Sequence, residues 1–217
     1  MPAHAAKTRQ PSRDKILDCA ETLFARRGFA GTGLAEVAEH VGLGKSSLFH
    51  HFRSKAELYA AVVARILGVI EERLMRALAA GGTAVDRLDR WIDVLVDLLA
   101  EHRTYARILL RSLFEDDELT GELPEEREAN EIIRRIVAAG AALLKEGIES
   151  GAIRPVSVGH TIQTLIGATV YHFASGEFGD EIIGRPVFSV SEVRRRRDEL
   201  KALIHRGLVA SQTRETR

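Results

Sequence analysis

Apolar residues recur at intervals of three and four along most of the chain, and no stretch alternates apolar and polar residues over the length of a strand. This spacing is typical of α-helices that bury one face. The first predicted helix begins at the capping residue Ser12 and ends where Gly28 supplies a left-handed residue, after which Phe29 is expected to fold back on Phe24. Its apolar stripe comprises Ile16, Leu17, Ala20, Leu23 and Phe24.

The same spacing predicts eight further helices, so that the expected all-α fold has about nine. These helices cover residues 34–41, 45–51, 55–80, 84–101, 103–114, 124–150, 156–176 and 191–211. Predicted connections lie at 81–82, 115–118 and 175–189. Because the short helices cluster at the start, we expect a small head, residues 1–58, on a larger helical body, residues 59–217. The first part of the head, about 1–10, is predicted to be a disordered tail.

The segment from Leu34 to Phe52 has the pattern of a helix-turn-helix. Ala38 is small where two helices approach closely, and Gly42 lies where the chain turns and positive φ is needed. Leu48 then anchors the second helix. In this motif the second helix enters the major groove of DNA with its N-terminal residues first.

The chemistry of the second helix suits contact with DNA. Its first turn offers donors with little bulk, and a second phosphate seat is predicted where Thr32 precedes the free amides of the next helix. The predicted DNA contacts are Thr32, Gly33, Leu34, Lys45, Ser46, Ser47, Phe49, His50, His51 and Lys55. His50 and His51 could instead bind a metal, but neighbouring residues on a helix point in different directions, which favours contact with phosphate or bases.

The formal net charge of zero excludes a polycation that coats nucleic acid, yet it conceals an asymmetry. Residues 1–60 carry nine Lys and Arg against six Asp and Glu, a formal charge of +3 that the rest of the chain offsets. A basic head on an acidic body is expected of a DNA-binding module with a separate second role.

Three segments carry a resemblance to a known family: LFARRGF at 23–29, VAEHVGL at 37–43 and SLFHHFRSKAEL at 47–58. With them, the run from Ile16 to Val63 resembles the N-terminal domain of the TetR family of one-component regulators. Beyond about residue 65 only the helical layout and the length are similar. The resemblance implies a transcriptional regulator that binds a double-stranded DNA operator and whose body dimerises and senses a small molecule.

Three positions depart from the family pattern. The family often has a hydroxyl residue where Gly33 stands, a Ser cap where Gly44 stands, and Tyr where Phe49 stands. Phe49 keeps the packing and loses a phosphate contact. We therefore expect slightly weaker backbone contacts and retained DNA binding.

The body offers two hypotheses. The last two predicted helices pair with their copies in a homodimer, as a four-helix bundle whose apolar residues are Ile162, Leu165, Ile166, Val170, Phe173, Val193, Leu200, Leu203, Ile204 and Leu208. The fourth to eighth helices enclose a pocket for a small hydrophobic effector, unless the same residues simply fill the core. The lining candidates are Leu67, Ile70, Leu74, Trp91, Leu95, Tyr105, Leu109, Ile136, Leu143, Gln163 and Tyr171.

Other classes of protein find little support. The sequence contains no Gly-rich phosphate loop, no nucleophile elbow and no histidine pair at metal-ligand spacing, so we expect no catalytic, cofactor or metal site. The single cysteine, Cys19, is expected to be a packing residue. The longest uncharged apolar run, 136–144, is too short for a membrane span, and residues 1–10 contain no apolar signal segment. The basic run 194–197 is expected to be a solvated face paired with neighbouring acids.

The expected function is therefore that of a cytoplasmic repressor released by a small hydrophobic molecule. One alternative is a chromosome-associated DNA-binding protein on the same fold, with a filled body and no effector. Another is an α-helical ligand-binding protein or enzyme without salt-dependent DNA affinity. A cavity in the body distinguishes the first from the second, and DNA binding distinguishes both from the third.

Overall fold

A computed structural model describes residues 13–114 and 121–210, and within these ranges it contains ten helices and no strand. The all-α prediction is confirmed. The helices are α1 (Arg13–Arg27), α2 (Leu34–His40), α3 (Lys45–His51), α4 (Lys55–Ala79), α5 (Ala84–Glu101), α6 (Tyr105–Ser112), α7 (Pro124–Glu149), α8 (Val158–Ala174), α9 (Glu177–Ile183) and α10 (Val190–Leu208). The predicted tail at 1–10, the Ser12 cap and the acidic connection at 115–118 lie outside the described residues.

Aromatic packing closes the head around the end of α1. Gly28 has φ +74°, as predicted for the residue that ends this helix. The Phe29 ring folds back on Phe24, with ring centroids 6.3 Å apart, which confirms the predicted contact. Tyr59 of α4 meets both rings edge to face at 4.9 and 5.4 Å. The first turns of α4 are thus anchored in the core of the head.

The helix α4 runs without interruption from the head into the body. Ser54 caps it, since its hydroxyl accepts a hydrogen bond from the backbone N–H of Glu57 at 3.0 Å. The predicted domain boundary at residue 58 falls within its first turn. In the body α4 packs along α7 and α5, while α8 lies against α6 and α7.

The helix α10 is joined to α5 by ion pairs and by a histidine–carboxylate hydrogen bond, which corrects the prediction for residues 194–197. His205 and Lys201 reach Asp89 and Asp93 on α5 at 2.7 and 2.6 Å, and Arg197 contacts Asp97. Arg196 donates to the Ala168 carbonyl of α8 at 2.6 Å. The sequence showed only the acids that neighbour the run along the chain, whereas two of its four arginines bind distant helices.

The helix α9 lies inside the segment 175–189, which was predicted to be a connection, and it raises the helix count from about nine to ten among the described residues. It has no apolar stripe facing the core, because Phe178 and Ile182 are exposed. The helix is instead held by Asp180, whose carboxylate accepts a hydrogen bond from the Val187 N–H at 2.7 Å. A test based on apolar spacing therefore misses it.

Candidate nucleic-acid interface and ligand cavity

The turn between α2 and α3 has the geometry that the helix-turn-helix pattern predicts. Gly42 has φ +72°, and no atom lies within 4 Å of the position that its Cβ would occupy, so backbone conformation and not space requires glycine. The Leu43 N–H donates to the Ala38 carbonyl at 2.8 Å and closes the turn. Val37 and Leu48 are fully buried and place one face of each helix in the core of the head.

The outer face of α3 is polar. Lys45, Ser46 and His50 are exposed, Ser47 and His51 are partly buried, and Leu48 faces inward. Phe49 is 39% exposed, and the Lys45 ammonium lies 5.9 Å from the centroid of its ring. Gly44 occupies the N-cap without a side-chain hydrogen bond, as does Gly33 for α2. In the first turn of α3, the exposed side chains of Lys45 and Ser46 therefore offer hydrogen-bond donors to solvent.

Two of the predicted phosphate contacts are engaged inside the head. Thr32 is buried, and its hydroxyl donates to the Gly28 carbonyl at 2.9 Å. The Lys55 ammonium donates to the Phe29 carbonyl at 2.9 Å and lies 4.2 Å from the centroid of the Phe29 ring. Lys55 keeps further N–H donors, since an ammonium has three. Gly33 is exposed and Leu34 is partly buried beside them.

A cavity of about 370 Å³ lies in the body between α4, α5, α6, α7 and α8. Eight of the eleven predicted lining residues surround it: Leu67, Ile70, Leu74, Trp91, Leu95, Leu109, Ile136 and Tyr171. Five residues of α4 contribute to the wall, namely Ala60, Val63, Leu67, Ile70 and Leu74. The helix that enters the head is therefore also a wall of the cavity.

Three predicted lining residues lie elsewhere. Tyr105 is buried and stacks on His102, with ring centroids 4.3 Å apart, and burial followed by the charge of Glu21 raises its pKa. Leu143 lines a separate void of about 20 Å³ behind Trp91. Gln163 is exposed on the outer side of α8.

Three polar residues of the cavity were not predicted from the sequence: Ser112, Glu126 and Asn130. Glu126 is 5% exposed, and its Oε2 accepts a hydrogen bond from the Leu123 N–H at 3.3 Å. Its Oε1 is buried without a hydrogen-bond partner in the described part of the chain. One signal was available, because Glu126 lies on the same face of α7 as Ala129, Ile133 and Ile136.

The proposed pairing face on α8 and α10 differs in composition from the prediction. Six of the ten apolar residues that motivated the four-helix bundle are buried within the chain itself: Ile162, Leu165, Phe173, Leu200, Ile204 and Leu208. Large apolar side chains remain exposed at Tyr171, Val190 and Leu203. The spacing of apolar residues shows only approximately which side of a helix is buried. It does not show that α6 covers one side of α8 and that α5 covers one side of α10.

A half-buried histidine, His172, lies beside this face. Burial, followed by the charge of Arg196, lowers the pKa of His172 to about 4, although Glu192 opposes the shift. Its Nε2 has no hydrogen-bond partner among the residues that the structure describes. Burial also lowers the pKa of Arg196. His172 is therefore neutral at neutral pH.

Known proteins resemble this chain both in the head and over most of its length. The family described as bacterial regulatory proteins, tetR family, matches residues 16–62. The HTH-type transcriptional repressor SCO4008 of Streptomyces coelicolor is 30% identical over 149 residues, which cover 69% of this chain and 71% of that protein. None of the described helices is long and apolar enough to cross a bilayer.

Two solved structures share the fold. The ketosteroid transcriptional regulator KstR2 of Mycobacterium tuberculosis superposes with a TM-score of 0.74 at 20% identity, covering 96% of this chain and all of the other. AibR, in complex with isovaleryl coenzyme A and operator DNA, gives a TM-score of 0.72 at 19% identity and covers 88% of this chain and 96% of its own. With the identity to SCO4008 and the match of residues 16–62, these findings show that the chain belongs to the TetR family of transcriptional regulators.

Proposed function

We propose that this protein is a cytoplasmic, sequence-specific repressor that binds a palindromic operator as a homodimer and is released by a small hydrophobic effector. The observation that carries the proposal is the cavity of about 370 Å³, which has the size of a small-molecule site and shares α4 with the head. The relatives named above are transcriptional regulators, which fits a protein without catalytic activity.

The head supplies the contacts with DNA. The exposed first turn of α3, with Lys45, Ser46 and Ser47, enters the major groove, and Phe49, His50 and His51 follow it along the helix. Thr32, Gly33, Leu34 and Lys55 contact the flanking phosphates through backbone amides and the remaining ammonium donors. The head ends at about residue 58, where α4 becomes part of the body.

Dimerisation sets the spacing of the two heads. One α3 reads only a few base pairs, whereas two related by a twofold axis read half-sites about 34–36 Å apart. The exposed Tyr171 and Leu203 support pairing through α8 and α10, because each leaves a large apolar surface in water.

The effector acts by shifting the population between two arrangements of the heads. It has an effect only through its different affinity for the two states, and about 5.5 kcal/mol of difference moves the equilibrium from 1:99 to 99:1. AibR binds an acyl coenzyme A and DNA on this fold, which supports a coupled pair of sites in the present chain.

The test begins with selection of the DNA that the full-length protein retains from its own genome. We expect an inverted repeat, and we expect that Lys45→Ala weakens binding to every fragment whereas Arg134→Ala, which removes an exposed charge from α7, leaves it unchanged. A library of hydrophobic compounds is then screened for changes in Trp91 emission and for release of the selected DNA. Retention of no fragment at low salt contradicts the DNA-binding role, and a library without any hit contradicts sensing.

The chromosome-associated alternative predicts a filled body, and the cavity counts against it. It gains support if the protein binds DNA while no compound releases it.

A further inference from the structure

The cavity contains one charged side chain among its described lining residues, and that charge is negative. Glu126 is 5% exposed and lies with Ser112, Asn130 and Tyr171 in a wall that is otherwise apolar. No Lys, Arg or His belongs to the described lining. The charge of Glu126 therefore has no opposite charge among the lining residues that the structure describes.

A structural role at the start of α7 accounts for one of the two oxygens of this carboxylate, Oε2. Glu126 is the third residue of α7, and its Oε2 accepts from the Leu123 N–H as capping residues do. Oε1 is buried without a hydrogen-bond partner in the described part of the chain, although a buried acceptor ordinarily has one. A glutamine at this position could accept the same hydrogen bond from the Leu123 N–H without burying a negative charge.

We propose that the effector is an apolar molecule with a protonated amine, and that its N–H donates to Glu126; this inference rests on the proposed function of the cavity. The last torsion of a glutamate is broad, so the carboxylate turns at little cost to present Oε1 to a ligand. An ammonium placed there forms a charge-assisted hydrogen bond in surroundings of low polarity, where such bonds are strongest.

The aromatic walls fit the same ligand. Trp91 and Tyr171 both line the cavity, and the face of an aromatic ring attracts a cation. The apolar residues of α4 and α7 receive the hydrophobic part of the molecule. A carboxylate or phosphate ligand instead places a second negative charge beside Glu126, and no described lining residue is a cation that could balance it. Two unbalanced negative charges are strongly unfavourable in a buried site.

The experiment compares three probes with one skeleton: 4-butylbenzylamine, 4-butylbenzyl alcohol and 4-butylbenzoate. Binding to the full-length protein is measured by Trp91 emission and by calorimetry at pH 7. We expect the amine to bind about tenfold more tightly than the alcohol, and the carboxylate more weakly than both. In Glu126→Gln, which keeps an acceptor for the Leu123 N–H, the preference for the amine over the alcohol falls to about threefold or less. Glu125→Gln removes a charge from the same helical turn outside the cavity and keeps the full preference.

The outcomes separate this inference from the proposed function. If the alcohol or the carboxylate binds as tightly as the amine, or if Glu126→Gln keeps the preference, the cationic effector is wrong while sensing stands. If none of the three probes binds, the inference fails. If the wider library also yields no ligand, sensing fails as well. A melting temperature of Glu126→Gln that is no lower than that of the unmodified protein, measured without ligand, confirms that the variant is folded.

Discussion

The openness of the cavity can be tested by filling it from within. Ala129 lies on α7 with its side chain in the cavity wall, and it is one helical turn from Glu126. Replacement by leucine adds three carbon atoms, and burial of about 0.8 kcal/mol per methylene gives a gain of about 2 kcal/mol if the space is empty. The change barely affects helix propensity. For a chain of this size the melting temperature rises by about 4–8 °C.

The sign of the effect distinguishes an open cavity from a packed core. Ala20→Leu is the matched control, because Ala20 on α1 is fully buried away from the cavity, and overpacking there costs about 1–3 kcal/mol. Thermal unfolding of both variants is followed by circular dichroism without ligand. We also expect Ala129→Leu to weaken binding of 4-butylbenzylamine by tenfold or more. If Ala129→Leu lowers the melting temperature as Ala20→Leu does, the body is filled and the effector hypothesis loses its basis.

Four further predictions concern the head, the turn, a half-buried histidine and the contact between head and body. Affinity for DNA falls as the salt concentration rises, and Lys45→Ala should make the slope of log affinity against log salt less steep by about one, as measured by fluorescence polarisation. An unchanged slope argues against a phosphate contact. Gly42→Ala should cost about 1–2 kcal/mol in urea unfolding, because φ is +72° there; a neutral result refutes the need for glycine. The pKa of His172 is about 4 in the folded chain against 6.5 in the unfolded chain, so the unfolded chain takes up a proton first as the pH is lowered. The free energy of unfolding should therefore decrease as the pH is lowered from 6.5 to about 4, by about 1–2 kcal/mol after allowance for partial exposure of the ring. His172→Gln should flatten this pH dependence, and an unchanged profile contradicts the assignment. Glu21→Gln should leave the affinities for DNA and for the ligand within about threefold while it reduces the effect of ligand on DNA binding; full coupling in that variant refutes a role for Glu21.

Local chemistry explains which elements were predictable. The turn at Gly42, the end of α1 at Gly28 and the start of α4 at Lys55 each depend on residues within a few positions of one another, so their patterns are visible in the chain. The bounds of α3 were predicted as the structure has them, and α4 ends at Ala79, within one residue of the prediction. These elements form the head, and the residues of the candidate DNA interface could therefore be predicted from the sequence.

The parts that were missed depend on long-range packing. Gln163 was assigned to the cavity from its place on the predicted eighth helix. Only the positions of α6 and α7 decide which side of α8 faces inward. Arg196 and Arg197 find their partners on α8 and α5, 28 and 100 residues away along the chain. Glu126 has the sequence context of an ordinary first-turn acid, and its burial follows from the way α7 lies across α4.

If the proposed function holds, the contacts of Glu21 offer a route by which occupancy of the cavity reaches the head. Its carboxylate on α1 accepts from Arg65 of α4 at 2.7 Å and from the Thr104 hydroxyl, just before α6, at 2.5 Å. Both α4 and α6 also line the cavity. A ligand that moves these two walls relative to each other must strain one of the two hydrogen bonds or carry α1 along with a wall. Because α1 packs on α2, and α2 positions α3, a displacement of α1 changes the angle at which α3 meets DNA. The coupling then needs no movement inside α4 itself, and its strength depends on how tightly Glu21 is held between the two walls.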